Sequence, residues 1–247
     1  MSNPIISILL PVYNQSPAYL RAALLSAKMQ TYACEIIVVD DGSKPAQEEI
    51  VDAVLFSAGH QSAGYIYRWQ ENKGVAGALN KALSLSTGEF LQWLPSDDLF
   101  HPDKTKLQLW EMQKENAMVS YCAYEDGIPQ AQNVWPAAQY PTREALFRAL
   151  QQRPFINAVT LMWKREVFEQ VGGWDEQMWF TQDTEHTLRC AERWNFTAIN
   201  EPLVRRRTHP GQQTNDLKQE KNKQQKEREI AYINKRYGAE WKTWVPT

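Results

Sequence analysis

The chain is short of cysteine, of long apolar runs and of net charge. Its three cysteines, Cys34, Cys122 and Cys190, are odd in number and scattered, which excludes a disulfide framework and lacks the Cys-x-x-Cys spacing of a zinc site. Reduced thiols in a cytoplasmic protein are the expectation. No stretch approaches the roughly 20 apolar residues that span a bilayer. Met1-Ser2-Asn3-Pro4-Ile5 shows no basic segment ahead of a long apolar one, so a membrane would be met peripherally, at its inner face. The net charge of -2 over 247 residues and a pI near 6.1 give no global pull toward nucleic acid. Glycine and basic residues are missing from Pro11-Val12-Tyr13-Asn14-Gln15-Ser16-Pro17, which therefore offers no triphosphate cradle.

What is present is a core-sized hydrophobic fraction, 43%, arranged as alternating strands and helices. Ile5–Leu10 reads as a buried strand stopped by Pro11, Pro17–Gln30 as a helix, and Ile36–Val39 as the next strand. Helix Gln47–Phe56, strand Tyr65–Trp69, helix Val75–Ser86 and strand Phe90–Leu94 follow. This alternation predicts an α/β fold with a mostly parallel sheet and right-handed crossovers. A helix after Pro102 and a strand Met118–Tyr124 come next, then a loop over Pro136–Pro141 and a helix Arg143–Leu150. Beyond them lie a strand Ala158–Trp163, a helix Glu166–Val171 closed by Gly172-Gly173, a loop Trp174–Asp183 and a helix Thr184–Trp194. Two short strands, Phe196–Asn200 and Leu203–Arg207, precede a polar helix over Thr214–Tyr237 with apolar points at Leu217, Ile230, Ile233 and Tyr237. That stripe is too sparse for strong membrane insertion.

Two acidic clusters end apolar strands in the same way. Asp40-Asp41-Gly42-Ser43 follows Ile36-Ile37-Val38-Val39, and Ser96-Asp97-Asp98 follows Phe90–Leu94 and Pro95. Ligands of open α/β sheets bind beyond the carboxyl ends of the strands, so both clusters face one crevice. Adjacent carboxylates suit a divalent cation that neutralises a diphosphate. Taken alone, Asp97-Asp98 fits a helix N-cap ahead of Pro102 better than a cation site. Asp183 ahead of its helix has the same double reading, and His209 alone reads as an ordinary satisfied histidine.

The order Pro11-Val12-Tyr13-Asn14, Val38-Val39-Asp40-Asp41-Gly42-Ser43, Asn72–Asn80 and Ser96-Asp97-Asp98 resembles the GT-A-fold, family-2 inverting glycosyltransferases. Gly172-Gly173-Trp174-Asp175-Glu176, Gln182-Asp183 and Arg207-Thr208-His209-Pro210-Gly211 continue the resemblance. It implies one GT-A domain over 1–247, with a nucleotide-binding half (1–100), an acceptor and catalytic half (101–213) and a C-terminal helix and tail (214–247). Implied donor-site residues are Pro11, Tyr13, Asn14, Asp41, Asn72 and Asp97, with Tyr13 and Asp41 taking a uracil-type base. Asp98, joined by His209, would hold Mn²⁺ or Mg²⁺. Asp183 matches the family's general base, and Gly173 with Trp174 would meet the acceptor, Trp174 stacking on a sugar. Trp69, Trp93 and Trp163 read as core. The function implied is transfer from a nucleotide-sugar, UDP-linked, to a glycan or glycolipid acceptor in cell-surface polysaccharide assembly. Pro95 and Gln182 stand where the family often carries acids. Rival functions are a non-catalytic nucleotide-sugar-binding module and a sugar nucleotidyltransferase, the latter disfavoured by the glycine-free first loop.

Overall fold

The computed structural model describes residues 5–56, 64–127, 133–209 and 219–241, so Leu217, Pro210 and Gly211 of the sequence reading lie outside the described residues. Four strands, β1 (Ile6–Val12), β2 (Cys34–Asp40), β3 (Tyr65–Trp69) and β4 (Phe90–Trp93), pair in parallel in the order β3-β2-β1-β4. They alternate with helices α1 (Pro17–Lys28), α2 (Glu48–Leu55) and α3 (Gly74–Leu85). Their continuous apolar runs are explained by burial on both faces. Ile8, Leu10, Ile36 and Val38 pack into one core, and Leu9, Ile37 and Val39 into the other.

β1 runs two residues beyond the expected stop. Leu9 accepts from the Leu94 N–H, so alternation sends the Pro11 nitrogen toward β4, whose pairing has by then ended. The missing N–H costs nothing there.

The sheet continues through both halves of the chain. After α4 (Lys104–Lys114) come β6 (Val119–Asp126), α5 (Arg143–Gln152), a 3₁₀ turn (Ala158–Thr160) and β8 (Leu161–Lys164), with α6 (Arg165–Val171) behind. β8 is antiparallel to both β4 and β6, and β6 pairs in parallel with β9 (Thr197–Arg206). The two strands expected over 196–207 are this single β9, its register broken around Cys122–Tyr124 where Pro202 interrupts the ladder. Two strands too short for periodicity to reveal, β5 (Leu99–Phe100) and β7 (Asn133–Trp135), pair with β9 and β6.

Helix α7 (Gln182–Ala191) and helix α8 (Glu220–Tyr237) complete the layer over the second core. α8 seats Ile230, Ile233 and Tyr237 in that core, leaving a polar outer face. Among the described residues no helix is long and apolar enough to cross a membrane.

Candidate functional site

The loops after β1 and β2 are tied together by backbone-to-side-chain bonds. Asp40, fully buried, accepts from the N–H groups of Ser43 and Gln47 and from the Tyr67 hydroxyl, at 2.7–2.9 Å. It supports the loop rather than facing the crevice. Asn14 adopts φ 44°, a left-handed conformation that Asn tolerates. Its N–H donates to Ser43 Oγ at 2.8 Å, and its Oδ1 accepts from the Lys44 N–H at 2.9 Å. Gln15 and Gln47 exchange two further bonds. Tyr13, at the tip of this woven loop, is 56% exposed.

Asp41 is buried beside them and its Oδ1 accepts from Gln70 Nε2 (2.7 Å) and the Lys73 N–H (2.9 Å). Desolvation pushes its carboxyl above the ordinary range, the Gln70, Lys73 and Gly74 hydrogen bonds pull it back, and neighbouring Asp40 adds a smaller push upward. Gly42 has φ 91°, and a Cβ there would lie 3.0 Å from the Asn72 nitrogen. Only glycine lets this turn press on Asn72. Asn72 Oδ1 in turn accepts from the Gly74 N–H at 3.3 Å, at the start of α3.

The second acidic cluster meets the end of β9 because β5 pairs antiparallel with it, Leu99 opposite Arg205. Asp98 is buried and its Oδ1 accepts from the Arg207 N–H at 2.9 Å. Arg207 Nη1 donates to the Asp97 carbonyl at 2.7 Å, and its guanidinium lies 4.9 Å from the Tyr19 ring centre. His209 Nε2 sits 3.0 Å from Asp97 Oδ2. Gln15 Nε2 donates to Ser96 Oγ at 3.1 Å, joining this cluster to the first loop. Burial, then the adjacent Asp97, drives the Asp98 carboxyl well above its ordinary range, with the Arg207 N–H, Arg206 and Arg207 opposing.

That arrangement fits a divalent cation. Among the described residues no group of three or more His, Cys, Asp or Glu side chains is arranged to hold a metal ion. A Mg²⁺- or Mn²⁺-type ion on a nucleotide needs only one or two carboxylates, the rest of its shell being phosphate and water. A buried carboxylate crowded by a second acid is what such an ion would relieve. His209 here orients Asp97.

Helix α7 begins at Gln182, two residues earlier than expected, so Asp183 lies in its first turn. Asp183 Oδ1 accepts from Thr184 N (2.8 Å) and Oγ1 (3.1 Å). Burial raises this carboxyl, while the Thr184 bonds, its own backbone N–H and the Lys226 ammonium oppose the rise. Glu185, the nearest other acid on the helix, is committed elsewhere: Arg189 holds one oxygen at 2.8 Å and the Tyr237 hydroxyl the other at 2.6 Å.

The segment Gly172–Glu176 is clamped by its backbone. Arg189 donates to the carbonyls of Val171 and Gly173. Asn80 of α3 accepts from the Trp174 N–H at 2.9 Å and donates to the Trp174 carbonyl at 2.8 Å. A Cβ on Gly173 would fall 2.2 Å from Asn80 Oδ1, so glycine is required there. The clamp turns the Trp174 side chain inward. It is 3% exposed and stacks 5.1 Å from His186, beside Phe168 and Trp163. The expectation that Trp174 stacks on an acceptor sugar is therefore corrected, because no indole face is open. An exposed indole five residues on is Trp179, whose ring lies 3.4 Å from a Cβ placed on Gly74. Trp69, expected in the core, is likewise exposed, at the end of an outer strand, whereas Trp93 and Trp163 are buried.

Sequence reasoning missed Asn80 as a clamp, Arg207 as the link between Asp97 and Asp98, and Trp179. Asn80 and Arg207 carried a signal, their places in the Asn72–Asn80 and Arg207–Gly211 elements.

The sequence model of Glycosyl transferase family 2 matches residues 7–172. An uncharacterized glycosyltransferase of Rickettsia typhi is 32% identical over 222 residues, 86% of this chain and 67% of the relative. TarS of S. aureus, solved with UDP-GlcNAc, superposes with TM-score 0.69 at 16% identity, covering 96% of this chain and 68% of that one. A mannosyltransferase of Pyrobaculum calidifontis, solved with GDP-Man and Mn²⁺, gives TM-score 0.65 at 18% identity, covering 93% and 65%. The chain thus spans about two thirds of each, and the two structures share its fold.

Proposed function

This chain belongs to Glycosyl transferase family 2 and is a glycosyltransferase using a nucleotide-sugar donor, and we propose that it is a metal-dependent, inverting hexosyltransferase. The donor would be UDP-linked, and the acceptor a hydroxyl of a glycan or glycolipid in cell-surface polysaccharide assembly. One observation carries the reading: the two acids that match the family's metal and base positions, buried Asp98 and half-buried Asp183, both have carboxyls raised by desolvation. Strongly perturbed carboxyls concentrate at functional sites, which supports a ligand at Asp98 and a proton transfer at Asp183.

Tyr13 would face the base and Asp41 would accept its ring N–H, with Pro11, Asn14 and Asn72 shaping the loop and Asp97 meeting the ribose. Asp98, with Asp97 and His209 beside it, would hold Mn²⁺ or Mg²⁺, which when bound supplies positive charge to the diphosphate. Asp183 Oδ2 takes the acceptor hydroxyl proton as the hydroxyl oxygen bonds to the anomeric carbon. The bond from that carbon to the phosphate oxygen breaks, its electron pair leaving with the nucleoside diphosphate, and the anomeric configuration inverts. The Gly173 backbone would line the acceptor side. The three cysteines, all free and buried, support a cytoplasmic setting, with membrane contact following from a glycolipid acceptor.

Isothermal calorimetry with Mn²⁺ present tests the donor assignment. UDP is expected to bind at least about tenfold more tightly than GDP, a difference of about 1.4 kcal/mol. Equal or tighter GDP binding would overturn the base assignment.

A further inference from the structure

Glu229 of α8 is a charged side chain 4% exposed; Lys226 on the same helix acts on it electrostatically, but the hydrogen bonds that hold it come from uncharged donors. Oε1 accepts from the Trp179 N–H at 2.8 Å, and Oε2 from the N–H groups of Phe180 and Thr181 at 3.0 Å and the Thr181 hydroxyl at 2.9 Å. Gln225 steadies Oε1 at 2.9 Å. Three successive backbone N–H groups around one carboxylate form a nest of the kind that binds anions.

These amides lead straight into α7. Thr181 is the N-cap of that helix yet makes no side-chain cap bond to it; its hydroxyl is spent on Glu229. Oxygens from a distant helix thus fix the chain leading into α7, ahead of the first-turn amides that a local cap takes. One turn earlier on α8, buried Lys226 faces Asp183. α8 also holds Glu185 through Tyr237, and Glu185 orients Arg189, which grips the Gly173 carbonyl.

We infer that Glu229 is the positioning residue of the catalytic loop, fixing the backbone of residues 179–181 so that Asp183 and the exposed Trp179 face the crevice in one arrangement. The inference rests on the reading of Asp183 as the base. Misplacing a general base by about 1 Å is enough to cost about 10²-fold in rate.

The test uses UDP release with water as acceptor and saturating Mn²⁺. The substrate is whichever of UDP-glucose, UDP-galactose and UDP-N-acetylglucosamine the wild type cleaves fastest. Glu229→Gln keeps the side-chain volume but turns one acceptor into an NH₂ group against the amides. Expected are a kcat at least about tenfold lower, a donor KM within about twofold of wild type, and faster deuterium exchange at 179–181. The double variant with Asp183→Asn should be no slower than Asp183→Asn alone, since coupled groups are not additive. Should Glu229→Gln not fold, Glu229→Asp, which keeps the charge one methylene shorter, is read by the same criteria. An unchanged kcat, or a loss that multiplies with that of Asp183→Asn, overturns the positioning role. Wild-type turnover by Asp183→Asn alone overturns the base reading instead.

Discussion

Asp183→Asn is expected to slow sugar transfer about 10²- to 10⁴-fold, the usual worth of a positioned general base, with donor affinity within about twofold of wild type. Asparagine retains an oxygen to accept from Thr184 N and Oγ1, so the start of α7 survives. What it loses is the second carboxylate oxygen and with it a place for the proton. The fold should not suffer. Because burial raises the Asp183 carboxyl in the folded chain, its charge weakens the fold progressively as pH rises from the ordinary carboxylate range through the raised value. A neutral asparagine removes that penalty, so the melting temperature at neutral pH should be unchanged or higher. The same raised value places the acid limb of the wild-type rate above the pH at which an ordinary aspartate ionises, the active form being the deprotonated one. Steady-state kinetics across pH, with thermal melting alongside, checks both. Near-wild-type turnover in the variant would leave Asp183 as a helix-start residue. Glu185 could not take its place, since Arg189 and Tyr237 already hold both of its oxygens.

Asp98→Asn should have the second largest effect, on binding. Even outer partners of metal ligands are worth about 10- to 100-fold in metal affinity, so removing the charged ligand itself should weaken Mn²⁺-dependent UDP binding by about 100-fold or more. The sign for stability is opposite. The folded-state carboxyl lies well above its ordinary range through burial and the neighbouring Asp97. Its ionisation therefore destabilises the ligand-free protein as pH climbs from the ordinary range through the folded value. The ligand-free variant should melt higher than wild type at neutral pH while no longer gaining stability from UDP with Mn²⁺. This is the trade expected where a site is held charged for function. UDP binding by wild type that is equally tight in excess chelator would remove the cation from the mechanism.

The parallel half of the sheet was legible because its strands are marked by their apolar runs. Uninterrupted apolar runs mark β1, β2 and β4, and the acidic residues that follow each of β2 and β4 fall beyond the carboxyl edge without further information. Trp174 was misread for a physical reason. A tryptophan after two glycines reads as a loop aromatic, and only the grip of Asn80 and Arg189 on the flanking backbone turns it against His186. Glu229 and Lys226 were invisible in kind: in so polar a stretch each charge reads as solvated, and their burial comes from contacts with 179–183, far away in sequence. The early start of α7 escaped because Gln182 carries no start signal, the loop before it being fixed by another helix.

Proton NMR of the first sugar released when the protein cleaves a UDP-α-hexose in water tests base-assisted in-line displacement most directly. It needs no knowledge of the acceptor, because water attacks from the side of Asp183. The β-anomer should accumulate first, before mutarotation mixes the signals, and initial release of the α-anomer would contradict the mechanism.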